Sequence, residues 1–140
     1  MRTAPVPILL APALTLLLIL SAAGCGNVKE DKMAELLEVA TSGYRQAIRW
    51  GYYPAAAGFL HPDERQNVDL DKLANVRVTG YEVVQPPVIG AEKTAVQVVQ
   101  IDYVLNDEQV LKSIGDRQQW RYDEAQKTWW LHSGLPAFED

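Results

Sequence analysis

The amino-acid sequence predicts an α+β domain in which N-terminal helices pack on a curved antiparallel sheet of about four strands. Apolar side chains between residues 28 and 50 recur with the spacing of one helical face. From residue 76 onward the chain is instead rich in β-branched residues that alternate with polar ones, and polar turns divide this region into strands. Helices followed by strands of this kind are typical of the α+β class.

The first 24 residues differ from the rest of the chain. Their only charged side chain is Arg2, and residues 8–23 are apolar or small except for Pro12, Thr15 and Ser21. This run is shorter than the about 20 apolar residues that span a bilayer. A basic start, an apolar middle and small residues before a cleavage point are typical of a secretory signal peptide. We therefore predict that residues 1–24 are removed.

The segment Ala22-Ala23-Gly24-Cys25 resembles the lipobox of bacterial lipoproteins, with Ala22 where leucine is usual. The resemblance implies cleavage between Gly24 and Cys25, a diacylglyceryl group on the Cys25 sulfur and acylation of the new N-terminus. Residues 25–27 would then be the lipidated N-terminus, and the domain would face the periplasm of a bacterial cell envelope. Because Gly26 stands where aspartate retains lipoproteins in the inner membrane, the outer membrane is favoured if the source is Gram-negative. Ordinary secretion after Ala23, an uncleaved anchor and a free thiol at Cys25 are the alternatives.

Charge and cysteine content exclude two classes of protein. The formal net charge is −5, and it becomes more negative when Arg2 is removed. An acidic domain has no electrostatic footprint for phosphate backbones, so we expect no nucleic-acid partner. Because one cysteine cannot form an internal disulfide, a fold stabilised by disulfides is the second class excluded.

The helical part begins with a helix predicted from Val28 to Trp50, capped by Asn27 and ended by Gly51. A short helix is predicted from Pro54 to Leu60 and is stopped by Pro62, and Asp69 can cap a further turn. The apolar stripe of the first helix consists of Met33, Leu36, Leu37, Ala40, Tyr44, Ala47 and Ile48.

Four strands are predicted at residues 76–84, 94–105, 110–122 and 128–133, with Pro86-Pro87 in the first loop. In the second strand the apolar residues change from even to odd positions, which predicts a bulge near Val98-Val99. In the third strand Ile114, Trp120 and Tyr122 share one face.

Two segments resemble the NTF2-like, cystatin-related cone fold: "RWGYYPAAAGFLHPDE", residues 49–64, and "WRYDEAQKTWWLHSG", residues 120–134. The resemblance implies a single domain over residues 28–140 whose sheet curls around the first helix and often encloses a pocket. Ketosteroid isomerases, dehydratases, epoxide hydrolases and noncatalytic binding modules share this fold, so it does not select a function.

Aromatic side chains provide the candidate site. Tyr44 and Tyr103 fall on predicted inner faces, where they could donate hydrogen bonds to a ligand or simply pack. Asp102 and Asp116 are interpreted as solvated sheet residues, and of the adjacent Trp129 and Trp130 one should be buried and the other covered. The residues predicted to line a pocket are Tyr44, Trp50, Tyr53, Tyr103 and Trp120.

No motif indicates a cofactor, a metal or a nucleophile, and His61 and His132 have no acid at ligand spacing. The favoured hypothesis is a membrane-anchored lipoprotein whose domain binds a small apolar ligand or an envelope protein without catalysis. The alternatives are an enzyme of the isomerase or dehydratase kind, and a structural accessory subunit of an envelope complex.

Overall fold

The structure is a computed structural model that describes residues 2–5 and 24–139, with the side chains from residue 27 onward in the second range. The hydrophobic part of the predicted signal peptide lies outside the described residues, as does the Cys25 side chain. The chain divides into two units, Met1–Lys32 and Met33–Asp140. In the first unit, residues 27–32 are helical and exposed. Within the described ranges, no helix is both long and apolar enough to cross a membrane.

The first helix, α1, runs from Gly24 to Arg49 and therefore begins earlier than predicted. Asn27 lies inside it, so the predicted N-cap is wrong. A capping side chain is worth only about 1 kcal/mol, and the backbone continues in helical conformation on its N-terminal side. The predicted end is confirmed: Gly51 adopts a left-handed φ of 71°, and the amide of Tyr52 donates to the carbonyl of Ala47 at 2.8 Å.

Three short helices follow: α2 (Tyr53–Ala57), α3 (Pro62–Arg65) and α4 (Leu70–Leu73). Pro62 begins a helix as well as ending the preceding segment, because proline is well tolerated in a first turn, where its missing N–H has no partner to lose. The predicted cap of the last helix is confirmed, since Asp69 Oδ1 accepts from the amides of Asp71 and Lys72 at 3.1 and 3.2 Å.

The predicted α+β class is confirmed by a four-stranded antiparallel sheet with strand order β1-β2-β3-β4. Its strands are β1 (Val76–Ile89), β2 (Thr94–Leu105), β3 (Leu111–Asp123) and β4 (Thr128–Leu131). Pro86 and Pro87 lie within β1 and not in a loop. An edge strand accommodates proline, and the register shift between Gln85 and Val88 places both prolines in an irregular stretch.

The predicted bulge is on the wrong strand. β2 pairs with β3 without any shift, whereas β1 shifts register opposite Val98 and Val99. Odd-numbered residues of β2 face inward along its length, which brings Gln97 into the core. Gln97 is a polar residue at an inward position, where an apolar one is usual. The inward series therefore looked interrupted, and the apolar residues appeared to change from even to odd positions.

The core lies between the inner face of this sheet and the helices that pack on it. The Trp129 indole is 2% exposed and donates to the Met33 carbonyl of α1 at 3.0 Å, while Trp120 packs edge-on against Tyr44. Apolar burial of this kind is the main favourable contribution to folding. The largest fully buried side chains are Trp120, Tyr44, Tyr103, Ile48, Leu60, Ile101, Leu131, Gln118 and Val99.

Candidate ligand-binding site

Five polar side chains meet on the inner face of the sheet, below α1. We call them the inner polar cluster: Tyr44 from α1, Tyr81 from β1, Gln97 from β2, and Asp116 and Gln118 from β3. Antiparallel pairing places Gln97 directly opposite Gln118. Of these five residues, only Tyr44 was predicted to line a pocket, and Asp116 was interpreted as a solvated sheet residue.

Gln118 is the centre of this cluster and is fully buried. Its Nε2 donates to the Tyr81 hydroxyl at 2.8 Å and to Asp116 Oδ2 at 3.0 Å. Its Oε1 accepts from Gln97 Nε2 at 3.0 Å and, more weakly, from the Trp120 indole at 3.4 Å. An amide has two donors and two acceptor positions, so Gln118 is saturated and rigidly held.

The Tyr44 hydroxyl is the exception in this network. The side chain is 0% exposed, and its hydroxyl has no hydrogen-bond partner among the described residues. Its ring packs edge-on against Phe59 and Trp120, with centroids 6.0 and 5.7 Å away. Burial, and then the charges of Asp116 and Tyr81, raise the pKa of Tyr44 well above its ordinary value. The phenol therefore keeps its proton at neutral pH.

Asp116 is half-buried on the inner face, so its interpretation as a solvated sheet residue is wrong. Even-numbered residues of β3 point inward, and Asp116 lies between Ile114 and Gln118 in that series. Burial raises the pKa of this carboxyl, and the hydrogen bond from Gln118 partly offsets the effect. The signal was present in the sequence, because Asp116 has the same parity as Ile114 and Trp120. Burial also raises the pKa of Tyr81 to about 12.

Asp102 lies on the opposite face, as expected from its position between two inward residues. It is half-exposed and accepts hydrogen bonds from the Ser113 hydroxyl and from Gln100 Nε2. Asp102 and Asp116 thus differ in environment, and of these two only Asp116 lies close to buried phenols.

Tyr53 and Tyr103 lie apart from the inner polar cluster and hold the C-terminal tail. Phe138 packs edge-on against both rings, at 6.4 and 4.9 Å. The Tyr103 hydroxyl donates to the Glu139 carbonyl at 3.1 Å and accepts from the Glu139 amide at 3.0 Å, and the Tyr53 hydroxyl donates to the Val76 carbonyl at 3.2 Å. Burial raises the pKa of Tyr53 to about 12.

Trp50 occupies a third location, at the surface. Its side chain is 67% exposed and borders a groove at the end of α1. The five residues predicted to line a pocket are therefore divided among three places: Tyr44 and Trp120 at the inner polar cluster, Tyr53 and Tyr103 at the tail, and Trp50 at the groove.

The two histidines meet on the outer side of β4. A parallel bridge between Leu60 and Leu131 brings His61 and His132 into a stacked arrangement, with ring centroids 4.7 Å apart and planes inclined by 23°. Burial, then the neighbouring His61 and Arg121, lower the pKa of His132. Among the residues that the structure describes, no group of three or more histidine, cysteine or acidic side chains could hold a metal ion.

Trp130 lies beside this histidine pair, with the Arg65 guanidinium 5.3 Å from its ring centre. A long side chain therefore covers the outward Trp130, as expected for the neighbour of the buried Trp129. Arg65 also donates to the carbonyls of Leu60 and Gly58, so it braces this corner of the fold.

No known protein-family model matches this chain, and no curated protein matches it. A solved structure is similar in fold: the solution structure of a SEC-C motif containing protein from Rhodopseudomonas palustris, with a TM-score of 0.55 and 13% sequence identity. The match covers 78% of this chain and 91% of the other. The likeness concerns the fold alone, and the resemblance to NTF2-like proteins stays a prediction.

Proposed function

We propose that this chain is a lipid-anchored protein of the bacterial cell envelope whose domain binds a small, largely apolar molecule without transforming it. The observation that carries the binding proposal is the buried Tyr44 hydroxyl, which has no hydrogen-bond partner in the described part of the chain although it lies beside the saturated Gln118. Lipid attachment rests on the lipobox resemblance at residues 22–25.

An unpaired buried hydroxyl is costly, because it loses its hydrogen bonds to water and gains none. The penalty is about 1–3 kcal/mol, which a phenylalanine at the same position would avoid. A ligand with a carbonyl or hydroxyl acceptor would remove the penalty, and the raised pKa keeps Tyr44 protonated and able to donate. Ligand pockets commonly combine apolar walls with a few such polar groups.

In this proposal, a ligand reaches the Tyr44 hydroxyl along the inner face beside Asp116. Asp116 and Ile114 on β3 are half-buried, and Val83 on β1, across the intervening β2, is exposed, so α1 does not fully cover this part of the sheet. An apolar molecule lying there would cover Val83 and Ile114 while its acceptor reached toward Tyr44.

Binding can be tested with prodan, a fluorescent apolar ketone whose emission shifts to the blue in an apolar site. We expect saturable binding to the wild-type protein and an affinity about tenfold lower for Tyr44→Phe, the value of one good hydrogen bond. Tyr103→Phe is the matched control, since it removes a buried hydroxyl at the tail, and should bind as the wild type does. Equal affinities of wild type and Tyr44→Phe would refute the assignment of Tyr44.

A second candidate is an enzyme of the isomerase or dehydratase kind, favoured by the inward position and raised pKa of Asp116 beside two phenols. A carboxyl with a raised pKa is suited to general acid–base work. Turnover of an apolar ketone by the wild type, lost in Asp116→Asn with ligand binding retained, would establish the enzyme and exclude the noncatalytic proposal.

The anchor is tested separately from the pocket. Mass spectrometry of the mature protein should find Cys25 as the N-terminal residue, carrying diacylglyceryl and amide-linked acyl groups. More than one acyl chain is needed for stable anchoring. A Cys25→Ala protein that is still cleaved and still extracted only by detergent would disprove lipid attachment at this residue.

A further inference from the structure

A groove of about 500 Å³ lies between the C-terminal end of α1 and the free edge of β1. Its volume falls within the range of small-molecule sites, about 300–1,000 Å³. The residues that line it include Arg49, Trp50, Arg77, Val78, Thr79 and Asn106. The groove is separate from the inner polar cluster, with which it shares no residue.

The charge of this groove is opposite to that of the whole protein. Two arginines line it, and the lining, which consists of described residues, contains no carboxylate. The chain as a whole has a formal net charge of −5. A concentration of guanidinium groups against this background attracts an anion locally, because focused positive potential in a cleft outweighs distant charge of the other sign.

The Arg49 guanidinium is already positioned. Its Nη1 donates to the Val78 carbonyl on the free edge of β1 at 2.9 Å, and its plane lies over the Trp50 ring at 5.4 Å from the centroid. One hydrogen bond leaves the other guanidinium donors available, since arginine has five. A group held in advance loses less entropy when it binds a ligand.

Trp50 supplies an apolar surface beside these cations. Its side chain is 67% exposed, although tryptophan is usually well buried, and Tyr52 two residues later is 64% exposed. A flat ligand that covered the indole would bury apolar area and add a ring–ring contact. A register shift in β1 falls at Thr79, within the groove, and such irregularities bend a strand.

We propose that this groove binds a small organic anion, with a carboxylate or phosphate held by Arg49 and Arg77 and a flat apolar body on Trp50. Arginine binds both anions through paired hydrogen bonds. The Asn106 side chain donates to the Ala74 carbonyl at 3.4 Å and lines the groove. The site extends the molecule's function beyond the apolar ligand assigned to Tyr44.

The test uses three naphthalene probes with the full-length protein: 2-naphthoate, 2-naphthyl phosphate and the neutral 2-naphthalenemethanol. Isothermal titration should detect the two anions and show affinity that falls as salt rises. Arg77→Gln and Trp50→Ala should each weaken binding about tenfold. Arg117→Gln removes an exposed arginine from β3 outside the groove and should have no effect. Tyr44→Phe should also leave anion binding unchanged. The proposal for the groove and the proposal for the inner polar cluster are therefore tested independently.

Two further measurements distinguish a small organic anion from inorganic phosphate and from an anionic membrane surface. Inorganic phosphate alone should compete weakly, because it cannot cover Trp50. No saturable binding of either anion, or binding unaffected by Arg77→Gln, would overturn the proposal. If anionic vesicles, but not zwitterionic ones, bind in a manner that depends on Arg77 and Trp50 while the naphthalene anions do not, the groove contacts a membrane surface and the proposal is equally wrong.

Discussion

Tyr44 and Tyr103 are two tyrosines that the sequence presents as equivalent and the fold uses differently. Both are almost completely buried against the inner side of the sheet. The Tyr103 hydroxyl both donates to and accepts from the backbone of Glu139, whereas the Tyr44 hydroxyl has no partner among the described residues. Tyr103 therefore holds two parts of the fold together, whereas the Tyr44 hydroxyl is left to bind a ligand in our proposal. We call the region around Tyr103, formed by Tyr53, Tyr103 and Phe138, the tail joint.

The largest expected effect concerns the tail joint. Phe138→Ala should lower the free energy of unfolding by about 3 kcal/mol, at the lower end for a buried phenylalanine because the tail can move to fill part of the space. Phe138 packs against both tyrosine rings, which lie on different elements of the fold. Urea denaturation is the measurement, with the exposed Ala137→Ser as control. A loss below about 1 kcal/mol would mean that the tail does not hold this end of the molecule.

The two tyrosines should respond to the same substitution with opposite sign. Tyr103→Phe leaves the Glu139 amide and carbonyl without their partner and should cost about 1–2 kcal/mol of stability. Tyr44→Phe removes an unpaired hydroxyl and should leave stability unchanged or raise it by about 1 kcal/mol. Thermal and urea unfolding of the two variants, measured together, test the contrast. Comparable destabilisation by both would show that Tyr44 also has a structural partner, such as a buried water.

Elements that depend on local sequence were predictable. The helical stripe from Met33 to Ile48, the terminator Gly51, the cap Asp69 and the limits of β2 all follow from neighbours within a few residues. These features can be predicted without knowing the tertiary contacts, because helical and strand periodicities are properties of a continuous segment.

The inner polar cluster was not predictable in the same way. Gln97 and Gln118 stabilise each other across two strands, and each looks like an error of alternation when considered alone. The Phe138 contacts and the stacked His61 and His132 also join residues distant in sequence. A polar residue can enter a core only if a partner meets it there, and the partner is known only once the register is known.

The smallest predicted effect concerns Asp116, and it sharpens the comparison because it tests the electrostatics of the inner polar cluster alone. Burial raises the pKa of Asp116 in the folded protein above its ordinary value near 4. The folded state therefore binds the proton more tightly than the unfolded state does. The stability associated with this group is fully present below the unfolded pKa and is lost as pH rises through the folded pKa.

Asp116→Asn keeps an acceptor for Gln118 and removes the charge. The variant should be more stable than the wild type at neutral pH, and the difference should shrink as pH falls through the folded pKa of Asp116 toward its lower, unfolded pKa. Urea unfolding of both proteins from pH 4 to 8 measures this difference, in which the titration of all other groups cancels. Asp102→Asn, on the outer face, is the control for replacing a strand carboxylate by an amide away from the inner polar cluster. A constant difference for Asp116→Asn would place its carboxylate in water, and the inner polar cluster would then lack the partly desolvated acid that distinguishes it from the tail joint.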